Sequence, residues 1–317
     1  MRWGEAQVKE VNGFTYRGWA PGSCGELVQG RLPREDGGGM VDFHISCPVS
    51  LYSRVEVRLR EDSREIVVFP ADRQKAARSV RLYLDFWGVR HIGANITVSS
   101  PLPPGKGMAS STADIGAALA AVSGALGMPV DPGEISARAL ALEPTDGTLY
   151  PGIVYFGHRG GGLLESHGKP PALEVGAVDT GGCVDTLAFN AGKRAYLHQE
   201  EELIAEAREL VAEGFRRRDP GLIGKGATIS ARVNQRLLPK PHLEELIEVI
   251  EAAGALGLCV AHSGTVVGAI CRPGGSCAVR KAVAEWLGPR AILFACRLGG
   301  GGVWVEAPDR AWKAAAG

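Results

Sequence analysis

Residues 101–113 read PLPPGKGMASSTA, with Gly105 and Gly107 just ahead of three hydroxyl residues, Ser110, Ser111 and Thr112. An alanine-rich apolar stretch follows and predicts a helix. The first N–H groups of a helix lack internal partners, and its dipole adds roughly half a positive charge there, so the loop offers an anion site. The glycines let a phosphate approach the backbone closely. Ser110 and Ser111 can donate to phosphate or ligate Mg²⁺. Lys106 can add charge or point to water. The same residues also suit a plain helix cap, with Ser110 or Ser111 holding the helix start.

A second group with chemical potential is EPTDGT at 143–148. Pro144 breaks a helix and Gly147 permits a turn, so Asp146 can point into a cleft. A hydroxyl with a pKa far above 7 gains from an acceptor aligned in the transition state. The alternatives are an Asx-turn for Asp146 and an exposed helix-end charge for Glu143.

Common phosphate motifs do not fit. Walker A needs glycine where Ser100 stands, and Gly107 follows the lysine; a dinucleotide fingerprint needs a third glycine where Ser110 sits. No His-Arg-Asp or Asp-Phe-Gly set marks a protein kinase.

The elements that must position these residues are readable from periodicity. Residues 49–60 alternate, with Leu51, Val55, Val57 and Leu59 on one side, and predict a strand. Residues 65–70 predict a second strand, paired with the first through a turn at 61–63. Residues 72–88 carry Val80, Leu84 and Trp87 at helical spacing and stop at Gly88. Residues 91–100 predict a strand running into the loop. Helices are expected over 113–127 and over 131–143, the latter with Asp131 as N-cap and Pro132 at its first position. Residues 151–166 predict strand, glycine turn and strand.

Beyond about residue 165 the pattern restarts: a strand at ALEVGAVDT, two long amphipathic helices (QEEELIAEARELVAEGFRRRD and PHLEELIEVIEAAGALG), and short strands CVAHSG, VVGAIC, AILFAC and GVWVEA. The alternation predicts an α/β sandwich with mostly antiparallel sheets, in two domains, 1–165 and 166–317.

The 317 residues suffice for about two domains. They are 45% hydrophobic and 22% charged, and 35 basic residues balance 35 acidic ones. No net field invites nucleic acid or an acidic membrane surface. The N-terminus is charged and unlike a secretory signal, and no run approaches the roughly 20 apolar residues of a spanning helix. A soluble, cytoplasmic protein is expected. Seven cysteines without a C-x-x-C pair argue against a zinc site or disulfide framework and for buried thiols.

The loop resembles the second motif of the GHMP kinases, P-x-G-x-G-L-[GA]-S-S-[AST]-A, matched by Pro103, Gly105, Gly107, Met108, Ala109, Ser110, Ser111, Thr112 and Ala113. APGSCGELVQG at 20–30 and GALGLCVAHSGTVVGAIC at 254–271 sit where the family's first and third motifs belong. The resemblance spans nearly the whole chain. It implies an α+β, two-domain fold with mixed or antiparallel sheets packed against helices and an active cleft between the domains.

It further implies ATP and Mg²⁺ as cofactors, with residues 103–112 (Pro103, Pro104, Gly105, Lys106, Gly107, Met108, Ala109, Ser110, Ser111, Thr112) around the nucleotide. Ser111 and Glu143 would hold the metal. Asp146 would accept or orient the acceptor hydroxyl, and Lys106 would assist. Glu26, Asp42, His44 and Asp179 fall in segments expected to border the cleft and are candidate acceptor contacts. Glu26 can instead pair locally, His44 can be a satisfied core histidine, and Asp179 and Asp185 can merely shape a turn.

Within the family, SCGELVQG, HISCPVSLYS, GKGMASSTADI and ALEPTDGT resemble the branch that phosphorylates free L-threonine for the aminopropanol linker of cobalamin. Lys106, Met108 and Asp114 fit that branch. Small molecules, not nucleic acid or membrane, are the implied partners. Homoserine or another amino alcohol as acceptor stays open, as does a non-catalytic nucleotide binder. Two departures stand out: Ser23 occupies the place of the first-motif lysine found in mevalonate-type kinases, and AHSGTVVGA is poorer in glycine than the usual third motif.

Overall fold

Two long strands carry the architecture, β1 (Thr15–Pro33) and β2 (Met40–Arg60), paired antiparallel. The computed structural model describes residues 13–34, 37–179, 181, 196–288 and 292–306. The predicted alternation holds along β2, where Val55, Val57 and Leu59 are buried. Along β1 it is broken by register shifts between Pro21 and Ser23, Ser23 and Glu26, and Glu26 and Val28. Such bulges bend a strand and re-aim its side chains.

β3 (Ile66–Phe69) does not fold back on β2 as expected. It pairs in parallel with β4 (Gly93–Ser99), which is itself antiparallel to β2. The reason is the intervening helix α1 (Gln74–Phe86), which makes β3–α1–β4 a crossover unit, and crossovers join parallel strands.

On the other side of β1, at Glu26 opposite Val260, the sheet continues through β8 (Gly257–Val260), β9 (Val266–Cys271), β7 (Glu174–Asp179) and β10 (Ile292–Arg297), all antiparallel. The hairpin of β5 (Ile153–Gly157) and β6 (Gly162–Gly168) joins β2 where His44 faces Phe156, and β11 (Trp304–Glu306) joins β1. The result is the expected α+β fold with mixed, mostly antiparallel pairing.

Helix α2 (Ser110–Ala125) lies on β1 and β2 and is buried almost all round. Its alanines make that possible, and so does Gly18 of β1, where a Cβ would overlap the Ala117 carbonyl oxygen. Helix α3 (Pro132–Leu140) starts as predicted: Asp131 Oδ1 accepts from Gly133 N at 2.8 Å. Helices α4 (His198–Arg217), α5 (Pro220–Asn234), α6 (Leu243–Ala252) and α7 (Ser276–Leu287) cover the second half.

Five of the cysteines, Cys24, Cys47, Cys259, Cys271 and Cys296, are buried free thiols. Cys277 is exposed, against expectation, and Cys183 lies outside the described residues, as does Asp185. Among the described residues no helix is long and apolar enough to cross a membrane.

Candidate active site

Helix α2 starts three residues earlier than periodicity predicts, at Ser110, and it has no side-chain cap. Its N-cap is Ala109, held left-handed at φ 54°, a conformation unusual for a residue with a Cβ. Ser111 Oγ donates to Glu143 Oε1 rather than to the helix. The plain-cap alternative is thereby excluded. The uncapped end opens on a 460 Å³ cavity lined by Pro104, Gly105 and residues 107–112, while Pro103 and Lys106 stay out of its wall.

Lys106 is committed elsewhere. Its Nζ pairs with Asp179 Oδ2 at 2.8 Å, and Asp179 also accepts from Thr265 Oγ1 at 2.6 Å and Gly181 N at 3.0 Å. Burial pushes the Asp179 carboxyl up, but these donors outweigh it and hold it below its ordinary value. Asp179 therefore anchors the loop and does not line the cavity. Asp42 does not reach the cavity either; it sits on β2 opposite Arg31.

The backbone of Lys106 is gripped as firmly as its side chain. Its carbonyl accepts from both Thr265 N and Val266 N at 3.1 Å. Gly264 packs so close that a Cβ there would overlap the Lys106 carbonyl and Gly107 N. From the other side, Ser23 N donates to Met108 O at 3.1 Å. Both glycine-bearing segments, 20–30 and 254–271, thus converge on the loop, and Ser23 contributes a backbone amide where a lysine was absent.

The two acids face the same cavity. Glu143 lies just past α3, and its Oε2 accepts from Lys75 Nζ at 2.5 Å, so it is not a solvated helix-end charge. Asp146 makes no cap bond to the 3₁₀ turn at 147–149, which excludes the Asx-turn. Its Oδ2 accepts from Thr112 Oγ1 at 3.2 Å, and its Oδ1 lies 3.3 Å from His44 Nδ1. A further bond, Thr145 N to His158 O at 3.1 Å, pins the turn to the end of β5.

Glu26, turned inward by the β1 bulges, has Oε1 3.8 Å from the same His44 nitrogen. Burial, and next the charge of Asp146, push its carboxyl well above the usual carboxylate range. Its Oε2 has no protein partner. Asp114 stands in the wall, accepting from Ser53 Oγ at 2.5 Å and Arg73 Nη1 at 2.9 Å.

Two residues escaped the sequence reading: His158, directly after β5, and His262, in the turn after β8. They join His44 at the cavity floor, with ring nitrogens of all three within 4.8 Å of one another. His44 and His158 stack at 3.8 Å with 10° between planes, and His262 lies 4.3 Å from His44, tilted by 57°. Stacked parallel rings direct their in-plane lone pairs side by side, so the trio does not converge on one ion as zinc ligands do. Gln29 Nε2 donates to Val260 O at 3.2 Å, which leaves Gln29 Oε1 as acceptor for His262 Nδ1–H at 2.7 Å.

An uncapped helix start, a hydroxyl–carboxylate pair and an acid bonded to the helix's first turn share one cavity, an arrangement that can support phosphoryl transfer. The family model described as GHMP kinases N terminal domain matches residues 74–153, and that described as GHMP kinases C terminal matches residues 211–287. An L-threonine kinase of Citrobacter freundii is 32% identical over 252 residues, 78% of this chain and 83% of that one. The chain belongs to the GHMP kinases.

An L-threonine kinase of Salmonella typhimurium is 31% identical to this GHMP kinase over 297 residues, 88% of this chain and 93% of its own. Among solved structures, homoserine kinase from Cytophaga hutchinsonii superposes with a TM-score of 0.68 at 18% identity, covering 92% of this chain and 97% of that one. GHMP kinases are small-molecule kinases that use ATP, and the likeness of fold covers 92% of this chain.

Proposed function

We infer that this GHMP kinase transfers the γ-phosphoryl group of ATP to the hydroxyl of free L-threonine, giving L-threonine O-3-phosphate, the precursor of the aminopropanol linker of cobalamin. The names and 31–32% identities of the two threonine kinases support the acceptor. One observation carries the chemistry: Asp146 is held between Thr112 and His44 on the cavity wall that also holds the uncapped start of α2.

The amides at the start of α2 and the loop around Gly107 face the phosphates and offset their charge. Ser111 Oγ and the Glu143 carboxylate are hard oxygen donors side by side, which fits Mg²⁺; bound there, the ion would neutralise charge on the triphosphate. Lys75 holds Glu143 in place. Each Asp146 oxygen keeps a lone pair beyond its bond to Thr112 or His44, so the carboxylate can accept the hydroxyl proton of the acceptor. Glu26, buried beside it, would accept from the acceptor ammonium, whose charge would draw its carboxyl back toward the ionised form that burial disfavours.

The test is an acceptor panel of L-threonine, L-serine and L-homoserine with ATP and Mg²⁺, following ADP release and identifying the phosphorylated product by mass spectrometry. Threonine should give the highest kcat/KM. Preference for homoserine would replace the acceptor, and nucleotide binding without turnover would replace the enzyme reading with that of a binder.

A further inference from the structure

Two acids and one imidazole edge meet in the cavity, each delivered by a different element: Glu26 by the bulged stretch of β1, His44 by β2 and Asp146 by the turn after α3. One ligand atom from each, a carboxylate oxygen or a ring nitrogen, lies within 4.8 Å of the other two. We propose that these three residues bind a transition-metal dication of the Zn²⁺ class, at a site separate from the Ser111–Glu143 pair, and that an ion there blocks the acceptor. The site stands without the kinase reading; the blocking effect rests on it.

Spacing is the first observation. His44 Nδ1 lies 3.3 Å from Asp146 Oδ1 and 3.8 Å from Glu26 Oε1. Both are longer than the about 2.7–2.9 Å to which a carboxylate draws an N–H donor. They come close to the edge of a tetrahedron around an ion held at about 2.0–2.2 Å, which is about 3.3–3.6 Å. Three protein ligands leave a fourth position to water from the cavity.

Charge is the second. Among the described residues no lysine or arginine pairs with Glu26 or Asp146, and the basic neighbour they share is His44. The cations of the cavity wall are committed elsewhere, Arg73 to Asp114 at 2.9 Å and Lys75 to Glu143 at 2.5 Å. Two carboxylates this close do not both ionise without a cation, and a dication between them offsets both charges.

The third is an orphan. Glu26 is 4% exposed, and its Oε2 has no protein partner. A buried oxygen of this kind costs free energy until a ligand meets it. An ion bound through both carboxylate oxygens supplies that partner. His44 Nε2 lacks a partner in either tautomer, so committing Nδ1 to an ion creates no new orphan. The imidazole also selects the ion, since nitrogen suits Zn²⁺ and its neighbours whereas Mg²⁺ takes oxygen ligands. Asp146, with its side chain 19% exposed, leaves a way in from the cavity. An ion so placed occupies the Asp146 oxygen beside His44 and the Glu26 carboxylate, the groups that would otherwise meet the acceptor.

The experiment titrates the full chain with Co²⁺, a visible-absorbing stand-in for Zn²⁺, in saturating Mg²⁺ and without nucleotide or acceptor. One equivalent should bind with the strong d–d bands of a four-coordinate nitrogen and oxygen site, and Zn²⁺ should displace it. Glu26→Gln and His44→Gln should each weaken Zn²⁺ binding at least about 100-fold, because losing even an outer-shell partner costs about 10–100-fold. Glu143→Gln should leave Zn²⁺ binding unchanged. A variant whose near-ultraviolet circular dichroism departs from the wild type is replaced by Asp146→Asn, for which the same loss is expected. In rate assays with free Zn²⁺ set by a metal buffer, inhibition should be competitive with L-threonine and not with ATP. Three results overturn the site: no Co²⁺ spectrum, a sulfur-to-cobalt charge-transfer band that puts the ion on cysteine, or unchanged affinity in the variants. Binding that leaves turnover unaffected, or inhibition competitive with ATP, overturns the blocking role. Absence of turnover without Zn²⁺ overturns the kinase reading, and the spectrum then decides the site alone.

Discussion

Gly264→Ala probes the grip on the glycine-rich loop at 103–112 directly. The residue is not in the left-handed region, so alanine brings no backbone strain of its own. The added methyl overlaps the Lys106 carbonyl carbon and oxygen and the Gly107 nitrogen, which are backbone atoms that cannot swing aside. Restoring ordinary contact moves the two backbones apart by roughly 1 Å. That separation breaks the pair of 3.1 Å bonds from Thr265 N and Val266 N to Lys106 O, at about 1 kcal/mol each. A smaller unfolded-state entropy offsets about 0.5–1 kcal/mol, for a net loss of about 1–1.5 kcal/mol. The catalytic effect should be larger, because a shift of about 1 Å in a positioning element costs on the order of 100-fold in rate. Initial rates with ATP varied at saturating acceptor give kcat/KM for ATP, and calorimetry gives Tm. Gly274→Ala is the control: Gly274 sits at φ 84° in open space outside the cavity lining, so alanine strains the backbone by about 1 kcal/mol and should leave the rate unchanged. Wild-type kcat/KM for ATP in Gly264→Ala would refute the clamp.

Other perturbations address single groups. Asp146→Asn should lower kcat by about 10²–10⁴ with KM for ATP little changed, and unaltered turnover would remove Asp146 from the chemistry. Glu143→Gln should raise the Mg²⁺ concentration for half-maximal rate roughly tenfold or more, read from a Mg²⁺ titration at fixed ATP. Lys240 is 3% exposed, and burial pulls its ammonium from 10.5 down to about 8. The unfolded chain therefore binds the extra proton between about pH 8 and 10.5, and stability rises with pH across that window. Lys240→Met should add roughly 3 kcal/mol at pH 7, with the gain fading to nothing above pH 10.5. Urea denaturation at both pH values measures it, and a pH-independent difference would count against the burial cost.

The placing of the glycine-rich loop at a helix start was legible because residue type, order and spacing carry it within one short stretch. The acid pair was legible because Pro144 and Gly147 punctuate the chain beside it. Lys106 was not, since a lysine in a loop does not announce its counter-ion, and Asp179 lies on a distant strand. His158 and His262 were invisible for a related reason: each is a single histidine beside a turn, and only strand pairing brings them together. Helix α5 went unseen because glycines at 221, 224 and 226 argue against a helix. Two of those glycines serve packing: a Cβ at Gly224 would overlap the Leu256 carbonyl, and one at Gly226 would come 2.7 Å from the Ala207 oxygen. The signal was present all the same. Asp219-Pro220-Gly221 opens α5 with the same tripeptide, and the same Asp-to-amide bond at 2.8 Å, as Asp131-Pro132-Gly133 opens α3.

The long reach from Lys106 to Gly264 bears on how the enzyme is made. A ribosome that has released only the first half of the chain has delivered the loop without the segment that holds its shape. The nucleotide affinity proposed for this loop should therefore be one of the last properties the nascent protein acquires, and a severed N-terminal half should bind ATP poorly.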